Sequence, residues 1–100
     1  MPRRTSHVTA QEREARITRI LDRIRAIPPG FVRTYGDIDP VAPRLVGRVL
    51  AETEDDLPWH RVVRSDGSVA KGATQLRRLR SEGVPVLGAR VDLSAARLPE

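Results

Sequence analysis

The chain is 100 residues long, 39% apolar and 31% charged, which describes one small globular domain and excludes a second core, a large enzyme scaffold or a disordered chain. It has no cysteine, so disulfides, thiolate metal sites and a cysteine nucleophile are excluded together. The formal charge of +5 comes from 18 basic and 13 acidic residues. All of the excess falls in residues 1–50, and nearly all the cations are arginines, whose planar forks match phosphates. That bias points to a polyanion partner.

The start, Met1 to His7, is polar and basic. Residues 1–8 are expected to form a flexible basic arm, and with no apolar run of membrane-spanning length the protein is expected in the cytoplasm, away from membranes. Thr9-Ala10-Gln11-Glu12 has the T-x-x-E form of a capping box. Ile17, Ile20, Leu21, Ile24 and Ile27 then recur at helical spacing, and Pro28-Pro29-Gly30 ends the helix.

Phe31 to Tyr35 is short and β-prone, and Gly36 to Pro40 reads as a turn holding at most one helical turn. Val41 to Ala51 predicts a second helix, with Leu45, Val46, Val49 and Leu50 on its apolar stripe and Arg44 and Arg48 opposite. The acidic run from Glu52 to Asp56 is a solvated link that would repel a phosphate backbone. Pro58 to Val63 leads to a turn at Ser65 to Ser68, with Val69-Ala70 resuming as in a small hairpin. Thr74 to Glu82 predicts a third helix with Leu76 and Leu79 inward, stopped by Gly83; Val84 to Leu93 looks extended and residues 94–100 look like a tail. The folded domain is therefore expected over residues 9–93.

Three segments in this order carry a resemblance: Ile27-Pro28-Pro29-Gly30-Phe31-Val32-Arg33-Thr34-Tyr35-Gly36-Asp37-Ile38, then Arg44-Leu45-Val46-Gly47, then Pro58-Trp59-His60-Arg61-Val62-Val63 with Ser65-Asp66-Gly67. They resemble the DNA-binding domain of the O6-alkylguanine-DNA alkyltransferases, and the P-W-H-R-V version is similar to the alkyltransferase-like proteins, which bind alkylated DNA without repairing it. The resemblance implies an α/β, mostly α, winged-helix-like domain. Relatives have about five more residues between the positions of Tyr35 and Arg44, so the helix-turn-helix is expected to be shortened.

The family's alkyl-accepting cysteine is replaced here by Trp59. Indole nitrogen is a donor without useful nucleophilicity, so no catalytic residue is assigned and the chain is read as no enzyme. The resemblance implies a sensor that rotates O6-alkylguanine out of duplex DNA and flags it for nucleotide excision repair proteins. It assigns DNA contacts to Thr34, Tyr35, Arg44, Gly47 and Ser65, with Arg44 filling the gap left by the base, and Arg48 could add a contact. Tyr35, Trp59, His60, Val62 and Lys71 would line the lesion pocket. His60 and Glu82 match the family's relay pair and, with no thiol to activate, are expected to be a structural remnant. No cofactor is implied. Two histidines, His7 and His60, make no convincing metal site without cysteines, and the protein is expected to act as a monomer. The competing readings are a general DNA-binding domain without lesion preference and an enzyme using another route.

Overall fold

The computed structural model describes residues 9–100; the arm expected over residues 1–8 lies outside them. Helix α1 (Ala10–Arg25) starts where the capping box placed it: Thr9 Oγ1 accepts from the Glu12 amide at 3.0 Å and Glu12 Oε1 accepts from the Thr9 amide at 2.8 Å. Two otherwise unpaired amides are thereby satisfied. Ile20, Ile24 and Ile27 are buried, and Ile17 and Leu21 pack at their edge.

A second capping box sets the next element. Strand β1 (Arg33–Thr34) ends early because Thr34 Oγ1 accepts from the Asp37 amide and Asp37 Oδ2 accepts from the Thr34 amide, both at 3.0 Å. Tyr35, expected at the end of a strand, therefore opens the four-residue helix α2 (Tyr35–Ile38). The first helix of the helix-turn-helix is thus a single turn. Asp39 follows, accepting from the amides of Val41 and Ala42 at 3.0 and 3.1 Å, and Arg16 of α1 holds its carboxylate at 2.8 Å. These contacts fix the entry into α3 (Pro43–Glu52), where Pro43 occupies a first-turn position and Val46 and Val49 face the core.

A single 3-10 turn (Trp59–Arg61) leads into β2 (Val62–Val63). The hairpin expected around residues 62–70 is not formed. Strand β2 instead pairs in parallel with β1, Arg33 opposite Val62 and Thr34 opposite Val63; parallel strands need a crossover, which α2 and α3 supply. The expected turn itself closes, with the Gly67 amide donating to the Arg64 carbonyl at 2.8 Å. Its exit pairs with a later segment: the Val91 amide donates to the Gly67 carbonyl at 2.9 Å.

Helix α4 (Gly72–Ser81) buries Leu76 and Leu79 as its spacing predicts. The segment expected to be extended is a tight antiparallel hairpin, β3 (Val86–Leu87) and β4 (Arg90–Val91), followed by the one-turn helix α5 (Leu93–Ala96). Residues 94–100, expected as a tail, are built into the fold: Ala96 is fully buried, and Val32 donates to Ala96 and accepts from Leu98, each at 2.9 Å. Arg97 pairs with Asp37 at 2.6 Å, tying this segment to α2. The core has two lobes, one of α1, α3 and Val62, the other of Val32, Val63, Leu79, Val84, Val91 and Ala96. Adjacent positions of β2 feed the two, Val62 one lobe and Val63 the other. Among the described residues no helix is long and apolar enough to cross a membrane.

Candidate nucleic-acid interface

The 3-10 turn is the device that presents Trp59. Its amides are closed locally, Trp59 onto the Leu57 carbonyl at 2.8 Å and Arg61 onto the Pro58 carbonyl at 3.0 Å. Behind it the fully buried Gln75 of α4 donates to the carbonyls of His60 and Val62 at 3.0 and 2.9 Å and accepts from the Lys71 amide at 3.1 Å. A buried amide with three partners is a rigid joint, here holding the turn, β2 and the start of α4 in one arrangement.

Trp59 and Tyr35 form walls of an open cleft of about 520 Å³, with Val62 beneath them and Leu50 of α3 and Lys71 at the sides. That volume lies within the ~300–1,000 Å³ of small-molecule sites. Gly47 also lines it; a Cβ there would stand 3.8 Å from the Tyr35 ring, an ordinary contact. The Arg78 guanidinium sits 5.4 Å from the Trp59 ring centroid, and the His60 ring meets the indole edge-on at 5.9 Å. Cation and ring edge both restrain the indole. Burial pushes the Tyr35 phenol above its ordinary value, only partly opposed by Arg64, so it stays a neutral hydrogen-bond donor at neutral pH.

His60 is not part of the cleft lining. It is buried, and its Nε2 lies 2.8 Å from Glu82 Oε2. Arg61 binds the same carboxylate with a fork, Nε to Oε1 at 3.0 Å and Nη2 to Oε2 at 2.7 Å, and reaches the Ile27 carbonyl at 2.8 Å. The Arg61 fork is the main cause holding the Glu82 carboxyl down at about 2, with burial opposing it and His60 adding to it. An ionised carboxylate only accepts, so His60 Nε2 is the donor of this pair, and its Nδ1 is buried without a hydrogen-bond partner. The pair matched to a proton relay is thus locked into a three-residue bracket joining the 3-10 turn, the end of α4 and the end of α1.

The remaining candidates lie outside the cleft lining. Arg44 and Arg48 are exposed along α3 and line a second groove next to α1. Ser65 is exposed in the turn after β2. Thr34 is only 3% exposed and its hydroxyl is committed to the α2 cap, which leaves its Oγ1 little to offer a phosphate. The structure therefore brings Tyr35, Gly47, Trp59, Val62 and Lys71 to one cleft, keeps Arg44, Arg48 and Ser65 outside it, buries Thr34 and His60, and leaves Glu82 half-buried. Gln75 and Arg78 escaped the sequence reading. Gln75 had a signal, a polar residue beside Leu76 on the inward face of α4, whereas Arg78 had none. No cluster of three or more potential metal ligands occurs among the described residues.

Residues 16–84 match the family model described as the DNA-binding domain of 6-O-methylguanine DNA methyltransferase. The chain is 40% identical over 91 residues to the DNA base-flipping protein of Escherichia coli K12, covering 79% of this chain and 70% of that protein. It is 33% identical over 96 residues to alkyltransferase-like protein 1 of Schizosaccharomyces pombe, covering 83% of this chain and 89% of that one. The crystal structure of S. pombe Atl1 in complex with damaged DNA containing O6-carboxymethylguanine superposes with a TM-score of 0.71 at 28% identity, covering 87% of this chain and 97% of that chain.

Proposed function

The chain belongs to the family of the 6-O-methylguanine DNA methyltransferase DNA-binding domain, as an alkyltransferase-like protein, and from that premise we propose that it is a non-enzymatic sensor of O6-alkylguanine in duplex DNA. The observation that carries this reading is the cleft: it is open rather than filled, and one wall is Trp59, the residue that the resemblance matches to the alkyl-accepting cysteine.

The mechanism follows from what each group can do. A guanine inside a duplex cannot reach the cleft without unstacking, at a cost of a few kcal/mol. Helix α3 enters the minor groove and Arg44 fills the vacated stack, offsetting part of that cost and bending the duplex. Tyr35, at the mouth between α2 and α3, crowds the target phosphate and turns the nucleotide outward. The base then lies against the Trp59 indole, whose apolar surface accepts the O6-alkyl group and whose π face accepts the purine. Lys71 closes the rim with a positive charge. With no cysteine in the chain there is no thiolate to take the alkyl group, so the complex persists and is handed to nucleotide excision repair. The protein acts as a monomer on DNA in the cytoplasm.

The reading is tested by titrating a duplex carrying one O6-methylguanine against its unmodified twin at the same salt. The account expects clear preference for the modified duplex and no added mass on the protein afterwards. Equal affinities would reduce the chain to a general DNA-binding domain, and an alkylated protein would mean an acceptor other than a thiol.

A further inference from the structure

A second groove, outside the lesion cleft, runs between the first half of α1 and the start of α3. It encloses about 320 Å³ and is walled by Arg13 and Arg16 of α1 and Arg44 and Arg48 of α3, around a floor that includes Val41 and Leu45. Arg16 is engaged with Asp39. Among the described residues, Arg13, Arg44 and Arg48 have no acidic partner. Val41 is 79% exposed, a large apolar side chain left in water at the centre of this cationic ring.

We propose that this groove is a binding site for the sugar–phosphate backbone of the same duplex, so that α1 as well as α3 docks on DNA, with Arg13 making a phosphate contact. The proposal rests on the sensor reading above. Guanidinium forks on both walls suit phosphate oxygens, and the apolar floor suits the C–H face of deoxyribose. A contact to sugar and phosphate positions the protein without specifying sequence or lesion. Arg44 lines this groove and is also the residue assigned above to the vacated stack, which makes the groove continuous with the helix that faces the lesion. The one-turn length of α2 places α1 here: Arg16 reaches past it to hold Asp39 at the entry of α3.

The test compares full-length wild type, Arg13→Gln and Arg80→Gln. Arg80 is exposed on α4 and lines neither the cleft nor this groove, so it controls for net charge. Binding to the O6-methylguanine duplex and its twin is measured by fluorescence anisotropy between about 50 and 200 mM salt, a range over which counterion release is read directly. One lost phosphate contact lowers the slope of log affinity against log salt by about 0.9, which corresponds to about fivefold weaker binding at 0.15 M. Arg13→Gln is expected to show this loss on both duplexes, with the ratio between them unchanged and Arg80→Gln close to wild type. An unaltered slope and affinity for Arg13→Gln would overturn the proposal, as would an equal loss in Arg80→Gln, which would make the effect one of net charge. An acidic protein as the groove's occupant would also leave the Arg13→Gln slope unaltered. Failure of the sensor reading is read separately, as equal affinity of the wild type for the two duplexes.

Discussion

Replacing Glu82 with Gln isolates the bracket of His60, Arg61 and Glu82. The substitution keeps the shape and removes the charge that both partners bind at 2.7 and 2.8 Å. Moving a carboxyl from its ordinary 4.5 to about 2 sets a ceiling of about 3 kcal/mol on the folded-state preference for the anion. The Glu82 side chain is 19% exposed, so partial screening by solvent brings the expected loss at pH 7 to about 2 kcal/mol. The folded value is depressed, so this stabilisation is complete above 4.5 and disappears as pH falls toward 2. Urea unfolding of wild type and variant at intervals from pH 7 to pH 3 checks it. The gap between them should be constant down to about pH 5 and shrink below that, and other carboxylates, titrating alike in both proteins, drop out of the difference. A gap that stays flat to pH 3, or is absent at pH 7, would refute the bracket as a structural ion pair.

Other substitutions separate docking, pocket and scaffold. Arg44→Ala should weaken binding to the O6-methylguanine duplex by roughly 1–3 kcal/mol without lowering thermal stability, since the side chain is exposed; a loss below a few tenths would mean that another residue fills the stack. Trp59→Ala should remove roughly 1–3 kcal/mol of stacking from the modified duplex while sparing the unmodified one, and an unchanged ratio between the two would show that the base does not rest on the indole. Gly67→Ala tests the scaffold: Gly67 has φ +85°, and an added Cβ would sit on the Val91 carbonyl oxygen. A loss of about 3 kcal/mol or more in chemical unfolding is expected, and a variant of near wild-type stability would contradict the described packing of the turn on β4.

What could be read from the chain divides by the range of the interactions. Helix α1 and helix α4 were legible because capping and periodicity are local: Thr9 and Glu12 are three residues apart, as are Leu76 and Leu79. At Tyr35 two local signals compete, and the T-x-x-D box at Thr34 and Asp37 prevails over β-propensity. The hairpin differs from its expected place for another reason. Val62 and Val63 could pair with Val69 and Ala70 just downstream or with Arg33 and Thr34 about thirty positions earlier, and no local pattern decides between partners. The packing of residues 94–100 depends on Val32 and Asp37, 60 or more positions earlier in sequence. At the site, the three matched segments supply Tyr35, Gly47, Trp59 and Val62, which line one cleft. They could not show that His60 turns away from it, because that orientation comes from a carboxylate on another helix.

Trp59 is the only tryptophan, so its emission reports on the cleft alone. The most direct test of the account is to saturate the protein with the O6-methylguanine duplex and with the unmodified duplex, with saturation verified by anisotropy, and to compare the indole emission of the two complexes. The account predicts strong quenching by the modified duplex, as a purine stacks on the ring, and little by the other. Emission that is the same in both saturated complexes would place the damaged base somewhere other than on Trp59.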